Sequence, residues 1–413
     1  MRVFESLNEI VENGFCIGCG LCKSIAPKSA IEMRTGSHGH LRPFPRNRLD
    51  EKEERKILEL CPGINVSGPL SEPGDRDDDP VWGHNLRSAK GHTTDDAMRF
   101  VASSGGIMTA INNFLLDTGR VNFVLQTAPD PDDPYGSIPV ICRTAEDLLT
   151  AQGSRYASAA TLGTIMEVLD LDEPFAVSLK PCDVAGVRNL QKVNSKAREL
   201  VKFTQAMFCG TVPSVSSLEG FYERRTLDFY RDRPRSFRWR GNGNPGPTVA
   251  EMPDGSVLEA TYQEMWDDNP WTSQLRCKLC PDAIGLQADI AVGDCWPGGI
   301  PVGEDEGWNA MIVHTETGLE ILNACEADGR VKLVDIGSKH LCDVQPHHVR
   351  LRREMTSRLE GCKEMGMPNP NFMNLALEEC AGQLTEQERT AARDGTVTRV
   401  KKGHGDNVPA GDI

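Results

Sequence analysis

The spacing of the cysteines constrains the fold of this chain more than any other feature of its sequence. Cys16, Cys19 and Cys22 follow one another at C-x2-C-x2-C spacing, and Cys61 stands later in the chain, directly before a proline. Thiolates on short loops are the usual ligands of iron–sulfur clusters, and a 4Fe–4S cluster takes four of them. The pattern therefore predicts a cluster with three ligands close together and Cys61 as the fourth.

Zinc is the alternative metal for this first site, because C-x2-C pairs also bind structural zinc. Three cysteines at such tight spacing, followed later by Cys-Pro-Gly, favour iron. Gly18 and Gly20 lie between the cysteines, where glycine allows a loop to wrap closely around a cluster. Ala26 precedes Pro27 at the position where a ferredoxin-like run carries Cys-Pro, so the closing ligand must come from elsewhere in the chain.

A second set of cysteines is spread over the middle of the chain. Cys182 and Cys209 each follow a predicted strand, whereas Cys277 and Cys280 form a C-x2-C pair. Residues at the carboxyl ends of parallel strands converge on one crevice, so these side chains could share a second cluster. Two alternatives stay open: Cys182 and Cys209 could be small buried hydrophobic residues, and Cys295 could replace one of the four ligands.

Composition and charge exclude several classes of function. The chain has 45 Lys and Arg against 60 Asp and Glu, a net charge of −15, which argues against a nucleic-acid surface or a basic membrane helix. No apolar run approaches the roughly 18 residues of a membrane span, and the first residues lack the hydrophobic block of a secretory signal. Its 14 cysteines then fit metal ligation in a reducing compartment, and we expect a cytoplasmic protein.

Short apolar runs alternate with helical patterns, which predicts an α/β fold with a mixed sheet. The predicted strands are Val121–Leu125, Pro174–Leu179, Phe203–Phe208, Asp289–Val292 and Ala310–His314. Asp254-Gly255 predicts a hairpin turn within Val249–Leu258. We divide the chain into a ferredoxin-like cluster segment (1–66), a linker or loop (67–90), an α/β core (91–345), and a C-terminal helical region with a polar tail (346–413). Within the last part, residues 345–366 have helical character and residues 395–413 are expected to be frayed.

Two polar motifs are candidates for binding a cofactor. Ser103, Ser104, Gly105 and Gly106 open an amphipathic helix, and free N–H groups at a helix N-terminus form a natural anion site. The motif Gly153, Ser154, Arg155 and Tyr156 supplies a cation and a planar ring. Each motif alone has an ordinary explanation, since Ser is a common N-cap and Arg a common surface residue.

Taken together, these motifs resemble a known family. The motifs SSGG, GSRY, KPCD, FCG, RCKLCPD and GDCW occur in the order found in the beta subunit of coenzyme F-420 hydrogenase/dehydrogenase. Relatives of that family include ferredoxin-dependent 7-hydroxymethyl chlorophyll a reductase. The resemblance covers roughly residues 12 to 365 and implies an iron–sulfur flavoprotein with an α/β, flavin-binding core and a small N-terminal ferredoxin-like cluster domain.

The resemblance also implies roles for individual residues. On this analogy one 4Fe–4S cluster would be held by Cys16, Cys19, Cys22 and Cys61, and a second by Cys182, Cys209, Cys277 and Cys280. FAD would lie near Ser103–Gly106 and Gly153–Tyr156, with Lys180 beside the flavin or the second cluster. No histidine falls in a catalytic pattern, so the residues that move protons stay unknown.

Two functions follow from this resemblance. The first is an oxidoreductase that passes electrons between ferredoxin, or a partner subunit, and a small organic substrate through both clusters and FAD. The second is an electron-relay beta subunit of a hydrogenase or formate dehydrogenase complex that uses a deazaflavin or a nicotinamide. We expect an oligomer or a complex subunit in either case.

A cluster of cations near the first cysteines is a candidate docking surface for an acidic electron carrier. It consists of Lys23, Lys28, Arg34, Arg42, Arg46 and Arg48, with Glu32 as the one acid between Cys16 and Leu49. Local positive charge would be needed because the chain as a whole is acidic. The alternative is a solvated charged face without a partner.

Overall fold

A mixed sheet of eight strands forms the centre of the fold in the computed structural model, which describes residues 2–36, 39–69, 79–267 and 271–403. The strands, including those of three smaller sheets, are β1 (Ile31–Thr35), β2 (Leu41–Pro45), β3 (Asn65–Ser67), β4 (Arg87–Thr93), β5 (Phe123–Pro129), β6 (Ser137–Cys142), β7 (Phe175–Leu179), β8 (Val201–Met207), β9 (Ser236–Arg238), β10 (Thr248–Glu251), β11 (Val257–Ala260), β12 (Ile290–Asp294), β13 (Asn309–Val313), β14 (Val331–Asp335) and β15 (Asn371–Met373).

Helices cover both faces of this sheet and form the C-terminal part of the chain. They are α1 (Leu7–Glu12), α2 (Leu21–Ile25), α3 (Glu51–Leu60), α4 (Asp96–Val101), α5 (Ile107–Asp117), α6 (Ala145–Thr150), α7 (Ile165–Asp170), α8 (Pro181–Val193), α9 (Ser195–Leu200), α10 (Glu219–Glu223), α11 (Tyr262–Trp266), α12 (Leu275–Lys278), α13 (Glu316–Ala327), α14 (Ser338–Val344), α15 (Pro346–Arg353), α16 (Met355–Glu364), α17 (Leu377–Ala381) and α18 (Glu386–Lys401). Short 3-10 helices cover Val215–Leu218 and Pro297–Gly299.

The order of strands in the central sheet is β14-β4-β13-β12-β8-β7-β5-β6. The four middle strands, β12, β8, β7 and β5, run parallel, whereas the pairs toward both edges are antiparallel. Every residue of β7 and β13 is buried, as expected for apolar strands covered on both faces. The carboxyl ends of the parallel strands therefore meet at one edge of the sheet, where ligands bind in folds of this kind.

This sheet confirms the predicted mixed α/β architecture. Each of the five predicted strands overlaps one observed strand, namely β5, β7, β8, β12 or β13, and the predicted hairpin is formed by β10 and β11. Sequence patterns missed β4, whose polar sequence RSAKGHT lacks an apolar run. Strand β4 begins at Arg87, and Val81 and Trp82 are fully buried. The sheet and its core therefore extend into the segment predicted as a linker, residues 67–90. Residues 70–78 of that segment lie outside the described residues.

The N-terminal cysteine segment shares a core with the central sheet. Ile17, Cys19 and Leu21 pack in the same cluster of buried side chains as Phe123 and Leu179, which belong to β5 and β7. The amide of Leu162 also donates to the carbonyl of Cys19 at 2.8 Å. Parallel pairing of β3 with β15 ties the end of this segment to the C-terminal region. These contacts place the first cysteine set directly against the core.

The C-terminal region contains more ordered helix than the sequence predicted. The predicted helical stretch from residue 345 to 366 is present as α15 and α16, with a break at Glu354. The predicted frayed tail is wrong as far as residue 401, because α18 extends to Lys401 and buries Thr396 and Val397. A Cβ atom on Gly361 of α16 would lie 2.7 Å from the carbonyl oxygen of Arg393, so glycine lets these two helices touch. Residues 404–413 lie outside the described part.

Among the described residues, no helix is both long and apolar enough to cross a bilayer.

Candidate functional site

The first set of cysteines converges at one small cavity. Cys16 and Cys19 lie on the loop before α2, Cys22 lies within α2, and Cys61 ends α3. All four line the cavity, Cys16 and Cys19 from buried positions and Cys22 and Cys61 from partly buried ones. Residues separated by more than 40 positions in the sequence are thus brought together as the C-x2-C-x2-C pattern and Cys61 predicted.

Two glycines allow the loop to turn tightly at this cavity. Gly18 and Gly20 have φ values of +72° and +79°, which residues with a Cβ atom rarely adopt. A Cβ on Gly18 would stand 2.6 Å from the carbonyl oxygen of Leu41, and one on Gly20 would stand 2.8 Å from the Cα of Gly163. The glycines therefore serve both the bend of the loop and its close packing on the core.

The second set of cysteines lines a separate small cavity at the edge of the central sheet. Cys182 lies in the first turn of α8 just after β7, and Cys209 follows β8. Cys277 lies in α12 and Cys280 just beyond it, and all four contribute to the cavity wall. The amide of Cys209 donates to the carbonyl of Ala283 at 2.9 Å, which joins the end of β8 to the loop after Cys280.

The thiols within each set influence one another electrostatically. Burial raises the pKa of Cys19 well above its usual value, and the neighbouring Cys61 and Cys22 raise it further. Burial likewise raises the pKa of Cys182, with smaller contributions in the same direction from Cys209 and Cys280. The thiols of each set therefore lie close enough together to interact, as the ligands of one shared centre must.

The arrangement of these thiols bears on which metal centre they fit. Within the described residues, no three His, Cys, Asp or Glu side chains are arranged so that they could hold one metal ion. A 4Fe–4S cluster makes a different demand, because each of its four cysteine ligands binds a different iron. Two groups of four cysteines, each around its own cavity, are the donor sets that two such clusters require.

A larger open cavity lies at the carboxyl ends of β7, β8 and β12. Its wall brings together both polar motifs predicted to bind a cofactor. The predicted residues that line it are Ser103, Ser104, Gly106, Gly153, Ser154, Arg155, Tyr156 and Lys180. Gly105 lies behind this wall, where a Cβ atom would stand 2.7 Å from the carbonyl oxygen of Gly91 and 2.8 Å from the amide of Asn309.

The two serines connect loops rather than cap the helix that follows them. The hydroxyl of Ser103 accepts a hydrogen bond from the amide of Ser154 at 2.8 Å, and the hydroxyl of Ser104 donates to the carbonyl of Trp308 at 2.7 Å. Gly106 occupies the N-cap position of α5 without a side-chain cap. Asn309 instead accepts the amide of Ile107 at 3.2 Å, a role that the sequence did not indicate.

Arg155 places an uncompensated cation at the cavity. Its Nε atom is buried and lacks a hydrogen-bond partner among the described residues. Burial lowers the pKa of Arg155 to about 10, so the guanidinium stays protonated at neutral pH. A buried N–H donor without an acceptor is costly, and an anionic group such as a phosphate would supply the missing acceptor.

Tyr156 belongs to a buried network that sequence patterns did not reveal. Its hydroxyl accepts a hydrogen bond from Arg240 at 3.0 Å, and the same guanidinium forms an ion pair with Asp294 at 3.0 Å. Burial alone would lower the pKa of Arg240, but Asp294 and Tyr156 raise it above its usual value. Asp294 of the GDCW motif therefore holds a cation at the cavity wall. Asp289, by contrast, fixes the backbone, since its carboxylate accepts the amide of Thr204 at 2.7 Å.

Lys180 forms a buried ion pair with Asp183 between the second cysteine set and the large cavity. Burial would lower the pKa of Lys180, but the carboxylate of Asp183 raises it and keeps the ammonium charged. The ammonium of Lys180 thus lies beside both the second cysteine cavity and the large cavity.

The two cysteine cavities and the large cavity lie in a row, because neighbouring cavities share lining residues. Ile17 lines both the first and the second cysteine cavity. Cys209 and Lys180 line both the second cysteine cavity and the large one. The second cysteine set therefore lies between the first set and the large cavity.

Cys295 does not join the second cysteine set. It packs in a different hydrophobic cluster, which contains Val66 and Ala310, and its Sγ lies 3.7 Å from Nε2 of His340. The alternative in which it replaces one of the four ligands has no support in this geometry.

Not all six cations of the predicted docking surface are available to a carrier. Arg42 is 1% exposed and donates to the side chain of Gln274 at 2.9 Å, so it cannot contact a carrier. Glu32 forms ion pairs at 2.8 Å with both Arg34 and Arg46. The exposed cations near the first set without such a pair among the described residues are Lys23, Lys28 and Arg48.

Comparison with protein families assigns the chain. Residues 89–166 match the family model for the N-terminal part of the coenzyme F420 hydrogenase/dehydrogenase beta subunit, and residues 172–339 match the model for its C-terminal part. The chain belongs to this family. The match covers the polar motifs of the large cavity and the whole second cysteine set.

Individual relatives share the same description. F420-dependent formate dehydrogenase 1 subunit beta of Methanococcus maripaludis is 32% identical over 243 residues, which cover 58% of this chain and 59% of that protein. Coenzyme F420 hydrogenase subunit beta of Methanosarcina barkeri is 25% identical over 68% of this chain and 91% of its own length. The match thus spans about three-fifths of the formate dehydrogenase subunit.

A solved structure shares the fold. One chain of the F420-reducing [NiFe] hydrogenase complex from Methanosarcina barkeri superimposes with a TM-score of 0.55 and 23% identity. The superposition covers 71% of this chain and 97% of that one. The named relatives are subunits of oxidoreductases, which supports oxidoreductase chemistry for this family.

Proposed function

We propose that this chain is the electron-relay subunit of an oxidoreductase complex, carrying two 4Fe–4S clusters and one FAD. The single observation that carries the proposal is the row of cavities, in which Ile17 links the two cysteine sets and Cys209 links the second set to the large cavity. Electrons would enter from a partner subunit at the first set and leave at the large cavity, or travel the opposite way.

Residues of the large cavity suit a flavin dinucleotide. Arg155 and the N-terminus of α5 would bind its phosphates, because both offer hydrogen-bond donors and positive charge. The Arg240–Tyr156 pair would border the ring system, and Lys180 would offset negative charge near the second cluster. A flavin exchanges electrons singly and in pairs, which joins one-electron clusters to a two-electron carrier.

The names of the relatives support a deazaflavin of the coenzyme F420 type as that two-electron carrier. They also support the relay subunit over the ferredoxin-dependent reductase of an organic substrate, because the relatives are named as subunits of formate dehydrogenases and hydrogenases. A nicotinamide is the alternative carrier, and ferredoxin stays an alternative donor.

Anaerobic purification with metal and flavin analysis tests the cofactor content. We expect about eight iron and eight sulfide atoms and one FAD per chain, the content of two 4Fe–4S clusters and one flavin. Zinc in place of iron, or iron for a single cluster, would contradict the proposed relay. Reduction of the bound flavin by chemically reduced coenzyme F420, compared with NADH, then identifies the carrier.

Two cysteine variants test the order of the relay. Cys19→Ala should remove the first cluster, keep FAD reducible by the two-electron carrier, and abolish electron exchange with the partner subunit. Cys280→Ala should keep the first cluster but disconnect it from the flavin and alter the flavin absorption spectrum. Loss of FAD in Cys19→Ala together with two intact clusters in Cys280→Ala would reverse the assignment of the two sites.

A further inference from the structure

Two buried arginines lie between the cysteine sets. Arg42 and Arg276 are each 1% exposed. Each interacts electrostatically with one cysteine of the first set and one of the second: Arg42 with Cys16 and Cys277, and Arg276 with Cys61 and Cys280. The motifs of the family resemblance assigned neither arginine a function.

Arg276 bridges the two cysteine loops directly. Its Nε donates to the carbonyl of Gly63 at 2.6 Å and its Nη2 to the carbonyl of Pro62 at 3.3 Å, both just after Cys61. Its Nη1 donates to the carbonyl of Leu279 at 3.1 Å, just before Cys280. These acceptors are neutral, and no carboxylate forms an ion pair with Arg276 in the described part of the chain. The positive charge of Arg276 is therefore not neutralised by a carboxylate of the described residues and can act on the thiolates of both sets.

Arg42 forms a comparable set of hydrogen bonds. Its Nη1 donates to the carbonyl of Leu41 at 2.8 Å, and that carbonyl packs against Gly18 of the first cysteine loop. Its Nη2 donates to the side chain of Gln274 at 2.9 Å. Gln274 is the N-cap of α12, and its carbonyl accepts the amide of Cys277 at 3.1 Å. Arg42 thus also reaches both cysteine loops.

Burial of two cations between two metal centres has an electrostatic consequence. Each electron that enters a cluster adds one negative charge, and charges interact more strongly in a buried site than in water. An arginine stays protonated under all ordinary conditions, so its charge favours the reduced form of any cluster beside it. A cation placed between two clusters favours reduction of both and weakens their mutual repulsion.

We propose that Arg42 and Arg276 form an electrostatic bridge that raises the reduction potentials of both clusters together. This inference rests on the proposed presence of two clusters. It makes these arginines positioning residues for electron transfer, distinct from the cysteine ligands. A purely structural role would instead leave the potentials unchanged as long as both clusters stay bound.

Potentiometric titration of the anaerobic holoprotein, followed by electron paramagnetic resonance, tests the bridge. Arg276→Gln removes the charge but keeps hydrogen-bond donors. We expect the ratio of reduced to oxidised cluster at a fixed potential to fall about tenfold for both clusters, which corresponds to about 59 mV for a one-electron couple. Arg276→Lys keeps the charge and should leave both potentials near those of the natural protein.

Arg87→Gln is the matched control for the loss of one positive charge. Arg87 pairs with Glu326 and Asp335 at the far edge of the sheet, so both potentials should stay unchanged in this variant. Should Arg276→Gln fail to assemble its clusters, Arg42→Gln makes the same prediction. Three outcomes would overturn the bridge. They are unshifted potentials at full iron content, a shifted potential for one cluster only, and equal shifts in Arg276→Lys and Arg276→Gln. Absence of two clusters from the natural protein would instead defeat the proposed function.

Discussion

At the residue scale, a buried polar atom without a hydrogen-bond partner indicates a position where a ligand can bind. Arg155 is the strongest case, because its Nε is buried at the large cavity and lacks an acceptor among the described residues. Sequence alone could single out this arginine within the GSRY motif. It could not show that Nε lacks an acceptor among the described residues, because that depends on elements distant in the chain.

Arg155→Gln should weaken binding of FAD about tenfold or more. A hydrogen bond to a charged group contributes about 1.5–3 kcal/mol, and about 1.4 kcal/mol corresponds to a factor of ten. Equilibrium titration of flavin-depleted protein, followed by flavin fluorescence, measures the change. Arg143→Gln is the control, since Arg143 is an exposed arginine paired with Glu173 at 2.8 Å. Equal affinity in both variants would remove Arg155 from the binding site.

The ion pair between Arg240 and Asp294 is a contact that sequence patterns could not predict. The two residues are 54 positions apart, and their ion pair forms only when the loop after β9 folds over the end of β12. By contrast, local spacing identified the cysteines, because three of the first set follow one another at C-x2-C-x2-C spacing. Long-range pairs of ordinary residue types carry no comparable local signal.

The pH dependence of stability should include a contribution from His314. Burial lowers the pKa of this imidazole, although Asp282 and Asp289 act in the opposite direction, and Nδ1 lies 2.7 Å from the carbonyl of His84. An unfolded histidine gains its proton near pH 6.5. Below that pH the unfolded chain binds more protons at this position, so the free energy of unfolding should fall as pH decreases.

Urea unfolding of the holoprotein at several pH values between 7 and 5 checks this sign. His314→Gln should show a shallower loss of stability over that range than the natural protein. An identical pH dependence in the two proteins would mean that other groups account for the whole effect.

At the scale of elements, apolar runs predicted the parallel centre of the sheet well. The strands β7 and β13 are buried on every residue, so their sequences carry an unmistakable apolar signal. The edge-side strand β4 and the final helix α18 were missed because their sequences are polar. Burial of their few apolar residues depends on partners such as β13 and α16, which sequence patterns do not identify.

Gly105 controls how closely α5 approaches the sheet. A Cβ atom there would lie 2.7–2.8 Å from backbone atoms of Gly91 and Asn309, which have no room to move within a sheet. Gly105→Ala should therefore lower the free energy of unfolding by about 1–3 kcal/mol, as overpacked sites do, and displace the helix N-terminus from the cavity. Chemical unfolding and flavin titration measure both effects.

Gly337→Ala provides the control for this substitution. Nothing lies within 4 Å of the Cβ position of Gly337, so flavin affinity should stay near that of the natural protein. Stability should fall by no more than about 1 kcal/mol, because Gly337 is the N-cap of α14, where alanine is disfavoured. Unchanged stability in Gly105→Ala would show that the α5 backbone can shift without cost.

At the scale of the whole molecule, the N-terminal segment is part of the core and carries the first cysteine set. Cys22 is partly buried in a small cluster with Ala30 and Leu49, whereas the second set lies at the edge of the central sheet. The exposed cations Lys23, Lys28 and Arg48 lie on the same segment as that cluster. We therefore expect an acidic partner to approach the first set at these three cations.

Reversing these three charges should slow electron exchange with an acidic partner at the first set. The chain carries a net charge of −15, so an acidic partner depends on local cations for steering, and the triple variant Lys23→Glu, Lys28→Glu and Arg48→Glu removes them. The rate should fall about tenfold or more at low salt and become less dependent on salt, because exposed charges are screened within about 10 Å at 0.1 M ionic strength. Stopped-flow reduction by an acidic ferredoxin measures this rate.

A matched triple variant separates local from overall charge. Lys332→Glu, Lys339→Glu and Lys363→Glu changes the net charge equally at exposed positions outside the N-terminal segment. Reduction of the flavin from the large cavity by a two-electron carrier should be the same in both variants, because that cavity lies beyond the second cysteine set. If both triples slow the ferredoxin reaction equally, only the overall charge matters. If neither does, electrons enter through a partner subunit that recognises a different surface.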